Sequence, residues 1–131
     1  MNKIIKSLAL LLLVLATQAC STLGDAKRAQ GEGVKRTYSV SVDKAWDASV
    51  KALNKLNLDI ASQNKTDGYI LAQRSMSAFS YGENIAMFIK PKTTTDTEVE
   101  IVSKRAMSTN IFAPDWSEDI HREISLYLTI K

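Results

Sequence analysis

A single cysteine, Cys20, is the only thiol in this 131-residue chain, so no disulfide can form within it. Any fold must rest on an apolar core. The patterned part of the chain runs from Thr37 to Lys131. That is about 95 residues, close to the lower size at which a core suffices without staples. A chain so constrained needs a consistent apolar period, and this one switches cleanly between period two and period 3.6.

Thr37 to Val42 alternates Tyr38, Val40 and Val42 with Thr37, Ser39 and Ser41, the signature of a half-buried strand. Asp43 stands where a helix cap belongs. Lys44 to Asn57 then carries Trp46, Val50, Leu53 and Leu56 at helical spacing, which places Trp46 in the core. Leu58 to Gln63 reads as a second strand, and Asn64 to Gly68 as a turn ending in Asp-Gly. A third strand runs from Tyr69 to about Met76. A fourth, Glu83 to Lys90, has Ile85, Met87 and Ile89 on one face, Ala86 and Phe88 on the other, and Pro91 as its stop. Thr97 to Arg105 returns with Val99 and Ile101 inward and Glu98 and Glu100 toward solvent. Pro114 to Glu118 opens a last helix, with Asp115 as cap and Glu118 completing a variant capping box. Its stripe is Trp116, Ile120, Ile124, Tyr127 and Leu128, broadened by Leu126 and Ile130. The order β-α-β-β-β-β-α predicts an α+β fold, an antiparallel sheet of about five strands with two helices packed on one face.

The first 19 residues have a different character. Lys3 and Lys6 precede the apolar run Leu8 to Ala16, and Ala19 precedes Cys20. A basic start, a short apolar stretch and a small residue before the cut site describe a secretory signal peptide. A membrane-spanning helix needs about 20 apolar residues. Ala19-Cys20 resembles the lipobox of bacterial lipoproteins, with Thr17 where that pattern usually has Leu. The resemblance implies that Cys20 carries a thioether-linked diacylglycerol and becomes the acylated, palmitate-bearing mature N-terminus. Ser21 after the cysteine is similar to an outer-membrane sorting address. The competing reading is a secreted protein cut after Ala19 with a free thiol, a reactive liability that acylation removes. Residues 20–36, with mixed charge and Gly31 and Gly33 close together, then read as an acylated cysteine and flexible tether. A short amphipathic helix over Asp25 to Gln30 is the alternative. Residues 37–131 form the single domain.

Removing the leader takes two lysines and no acid from 17 basic and 14 acidic residues, which leaves a net charge of +1. A nucleic-acid binder would carry a basic stripe instead, so no nucleic acid is expected as a partner. Lys27, Arg28, Lys35 and Arg36 cluster beside the anchor, where they either solubilise a tether or graze anionic headgroups. Catalytic and metal-binding patterns are missing. His121 is the single histidine and cannot make a zinc site alone. It is expected on the solvated face of the last helix, beside Glu118, Asp119 and Glu123. The chain has no nucleophile-elbow or phosphate-cradling glycine pattern. The expectation is a non-enzymatic protein with no metal and no cofactor.

The run from Tyr38 to Ile60, YSVSVDKAWDASVKALNKLNLDI, followed by Asp67-Gly-Tyr-Ile70, resembles a family of small bacterial envelope lipoproteins of unknown function. It is more distantly similar to the repeated domains of the component C lipoprotein of the β-barrel assembly machinery. The resemblance spans roughly residues 37 to 105 and describes packing. It implies a fold and an envelope setting, and carries no catalytic residue.

Two connections hold large apolar residues where loops are normally polar. One carries Met76, Phe79 and Tyr81, and the other Met107, Ile111 and Phe112. Either they fold back to cap the core or they form an exposed patch that binds a protein partner. The sequence therefore predicts a lipid-anchored, periplasm-facing outer-membrane lipoprotein, held to the membrane by its N-terminal lipid. It would act as a binding or accessory subunit in envelope assembly or maintenance. The alternative is a carrier of a small ligand or lipid in a groove between helices and sheet.

Overall fold

The computed structural model describes Lys3 and residues 21–75, 82–107 and 113–129. Cys20 and the residues before it, Lys3 apart, lie outside the described residues. The elements are α1 (Leu23–Arg28), β1 (Val34–Tyr38), α2 (Val42–Lys55), β2 (Asp59–Asn64), β3 (Tyr69–Arg74), β4 (Glu83–Pro91), β5 (Thr97–Arg105) and α3 (Trp116–Thr129). The five strands form one antiparallel sheet in the order β1-β5-β4-β3-β2. The fold is α+β, with α2 and α3 on one face of the sheet as the periodicity predicts.

That face holds the main core. Ile70, Ala72, Ile85, Met87, Ile89, Val99 and Ile101 of the sheet meet Trp46, Ala52 and Leu53 of α2 and Trp116, Ile120 and Ile124 of α3. Leu126 departs from the predicted stripe and is half exposed, because helical spacing turns it away from the α2 contact.

The sheet's other face is also covered, which the sequence reading did not anticipate. Leu71, Ala86, Phe88 and Val102 pack against Ala26 and Ala29, with Leu23 and Tyr69 alongside. The cover is α1, so residues 21–36, expected as a tether, instead supply a helix and the first three residues of β1. Local chemistry accounts for α1. Thr22 accepts a hydrogen bond from the Asp25 amide at 3.2 Å, and its own amide donates to the Asp25 carboxylate at 2.7 Å, closing a capping box. The Thr22 hydroxyl also donates to that carboxylate at 2.8 Å, and together with the Thr22 amide it holds the Asp25 carboxyl below its ordinary pKa. Lys27 and Arg28 occupy the last turn, where the helix dipole favours cations.

Glu100 is a second correction. It was expected in solvent but is buried, and its carboxylate accepts from the amides of Gly31 at 2.5 Å and Gly33 at 2.9 Å. Buried charge is tolerated where donors converge on it. Gly33 approaches so closely that a Cβ there would sit 2.5 Å from the Ile101 carbonyl oxygen.

Element boundaries moved for identifiable reasons. β1 spans Val34–Tyr38 rather than Thr37 to Val42, because Ser41 is needed as the cap of α2. Its hydroxyl accepts from the Lys44 amide at 3.3 Å. Asp43, expected to be that cap, lies in the first turn and pairs with Lys65 at 2.7 Å. α2 closes in a Schellman motif: Asn57 takes φ of 55°, and the Leu58 amide reaches back to the Leu53 carbonyl at 3.0 Å. In α3, Asp115 accepts from the Ser117 amide at 2.9 Å as expected, whereas Glu118 bonds Arg36 instead of closing a capping box. A register shift between Ile60 and Ser62 marks a bulge in edge strand β2. At the other edge, β1 is short and exposes Lys35 and Arg36. Both devices discourage edge-to-edge pairing.

Candidate functional site

His121 is fully buried, not on the solvated helix face that its charged neighbours suggest. Nε2 lies 3.0 Å from the Val34 carbonyl and Nδ1 lies 2.9 Å from the Tyr38 hydroxyl. A carbonyl only accepts, so Nε2 carries the proton and Nδ1 accepts from Tyr38. Burial holds the imidazole below its ordinary pKa and raises that of the Tyr38 phenol. Ser125 donates to the His121 carbonyl at 2.8 Å. Both ring nitrogens are thus committed to joining α3 to the edge strand β1. The sequence carried one hint of this: helical spacing puts His121 one residue from Ile120 and three from Ile124.

Glu83, on β4, meets the start of α3, little more than one turn before His121. It is buried and accepts from the Trp116 indole N–H at 3.3 Å. Arg74, its cross-strand neighbour, places its guanidinium 4.7 Å from the Trp116 ring. The cluster ties β3, β4 and α3 together at the sheet end where β5 finishes.

The six apolar residues predicted to contact a partner do not form a describable site. Met76, Phe79, Tyr81, Ile111 and Phe112 lie outside the described residues, and Met107 is half-buried just past β5. Their flanking residues share one end of the sheet: the Ala106 amide donates to the Gly82 carbonyl at 3.0 Å, and the Trp116 amide donates to the Ser103 hydroxyl at 3.2 Å.

A larger concavity than the small one beside Ser103 and Asp115 lies at the other end. An open groove of about 580 Å³ runs between the first turns of α2, the end of α3 and the link that follows β1. Val40, Tyr127 and Leu128 supply apolar surface, while Lys44, Asp47 and Lys51 line the polar side. The four α2 residues follow from helical spacing, since positions 44, 47, 48 and 51 share a face. The sequence did not reveal that the end of α3 would lie opposite them. Among the described residues, no group of three or more His, Cys, Asp or Glu could hold a metal ion. No described helix is long and apolar enough to cross a membrane.

Comparison with known proteins returned no matching family model and no matching curated sequence.

Proposed function

We propose that this protein is a lipid-anchored, periplasm-facing lipoprotein of the outer membrane that serves as a non-enzymatic binding subunit in envelope assembly or maintenance. The leader, Ala19 and Cys20 support the anchor, and the likeness of residues 38–60 to small envelope lipoproteins supports the setting. The observation that carries the binding role is the groove between α2 and α3, with an apolar side and a rim of two lysines and one aspartate. Such a surface takes an amphiphilic segment: apolar contacts supply affinity and the charged rim sets orientation. By contrast, His121 and Glu83 are engaged in joining elements of the fold.

A carrier role is the second reading, because the groove's volume falls within the roughly 300–1,000 Å³ of small-molecule sites. One experiment separates the two: purification of the acylated protein from membranes in mild detergent, with mass analysis of whatever accompanies it. A stoichiometric protein that is lost in Leu128→Asp, with the thermal melt unchanged, supports the binding subunit. A bound lipid or metabolite lost in the same variant supports the carrier. Companions that survive Leu128→Asp would remove the groove from the account.

A further inference from the structure

The residue that follows Cys20 is built into the folded body. The Ser21 amide donates to the Ala106 carbonyl at 2.9 Å, its hydroxyl donates to the Arg105 carbonyl, and its own carbonyl accepts from Asn84 Nδ2 at 2.9 Å. Thr22 then caps α1 at once. No slack remains between Cys20 and the sheet, where a tether of 16 residues would have allowed up to about 55 Å of reach.

We infer that the protein is mounted end-on and rigidly on its membrane, with the Glu83–Arg105 end of the sheet against the lipid headgroups and the α2–α3 groove turned away. This rests on the lipid anchor proposed above. An acylated Cys20 lies one Cα step, about 3.8 Å, from Ser21. Ser21 is held by Asn84 near the start of β4 and by Arg105 and Ala106 at the end of β5, so the lipid must leave from that end. The nine residues of β4 put the opposite end roughly 27 Å away, at about 3.3 Å per residue. That far end carries Val40, tied to β5 by the Thr97 hydroxyl at 2.8 Å, and with it the groove. At the anchor end Arg105 is exposed, where anionic headgroups attract cations, while Lys104 beside it is paired with Glu32 at 3.4 Å. The groove would therefore meet partners approaching through the periplasm rather than lipids of its own leaflet.

The test places a fluorophore on the acylated full chain at Arg105→Cys or at Thr94→Cys, an exposed position in the β4–β5 turn. Each protein is reconstituted into phosphatidylethanolamine–phosphatidylglycerol vesicles that carry a headgroup-linked nitroxide quencher. The mounting predicts several-fold stronger quenching at position 105 than at 94. It also predicts that a Ser-Gly spacer of about ten residues between Cys20 and Ser21 evens the two signals. Equal quenching without the spacer, or stronger quenching at 94, overturns the mounting while the anchor stands. A difference that persists with the spacer overturns the clamp as its cause. An intact mass lacking acyl chains on Cys20 overturns the anchor itself, and the mounting with it.

Discussion

The two faces of the sheet are covered by different means. One face meets two 14-residue helices through Leu, Ile, Met and Trp side chains. The other meets a six-residue helix and its C-cap, mainly through Ala26 and Ala29. A helix of fourteen residues announces itself through several turns of apolar repeat, whereas one of six offers under two turns. The long helices are therefore visible in the pattern. The short one is held by its capping box and by the surface it covers, since helices this short are marginal alone. The segment that follows Cys20 belongs to the core. It closes the second face and supplies the two amides that satisfy Glu100.

Removal of residues 21–33 tests this most severely. It should re-expose Leu71, Phe88 and Val102 and lower stability on the order of 3–5 kcal/mol, at roughly 1.5–3 kcal/mol per large apolar side chain before partial relaxation. Urea unfolding of chains with and without the segment measures this, and equal midpoints would restore the tether reading. A smaller effect probes the helix-rich face. Tyr38→Phe leaves His121 Nδ1 without its donor and should cost about 1–2 kcal/mol.

The same lock gives a pH signature. The folded-state pKa of His121 lies below the unfolded value of about 6.5, so protonation favours the unfolded chain. The contribution is complete above about pH 6.5 and is lost as pH falls below it. Asp25 and Asp96 also sit below their ordinary values, led by side-chain hydrogen bonds from Thr22 and Ser39, so their loss comes later, below about pH 4. A His121→Gln chain should show a flatter midpoint between pH 7 and about pH 5. Identical slopes would contradict the buried neutral imidazole. Smallest of all, Thr22→Ala should cost about 0.5–1 kcal/mol by opening the capping box of α1, read as a shift in urea midpoint. No shift would mean that packing alone holds the short helix.

Most of the architecture was legible in the sequence because periodicity is a local property of the chain. The four strands from β2 to β5, the Asp67-Gly68 turn and both long helices come within a few residues of their observed limits. The strand ahead of α2 was displaced, since Tyr38, Val40 and Val42 serve as strand end, turn and helix start rather than as one strand. The groove was only partly legible, with Lys44, Asp47 and Lys51 following from one helix but Tyr127 and Leu128 arriving from an element more than 70 residues later. The signal for α1, Thr22 and Asp25 at capping-box spacing with Leu23, Ala26 and Ala29 on one side, was present but short.

By itself, then, the sequence determined the α+β class, the order of the elements and the composition of the main core, because side-chain period dictates which residues face inward. It also carries the signal-like leader and Cys20, which are features of covalent order. Only the tertiary structure decided that Glu100 and His121 are interior, that Ser21 is clamped to the sheet end, and that an amphiphilic groove opens at the other end. Each of these depends on groups distant along the chain: Gly31 with Glu100, Val34 with His121, Ser21 with Asn84. A local pattern reports how a residue relates to its neighbours in sequence. Whether a charge or an imidazole can be buried depends on which donors and acceptors the fold brings to meet it.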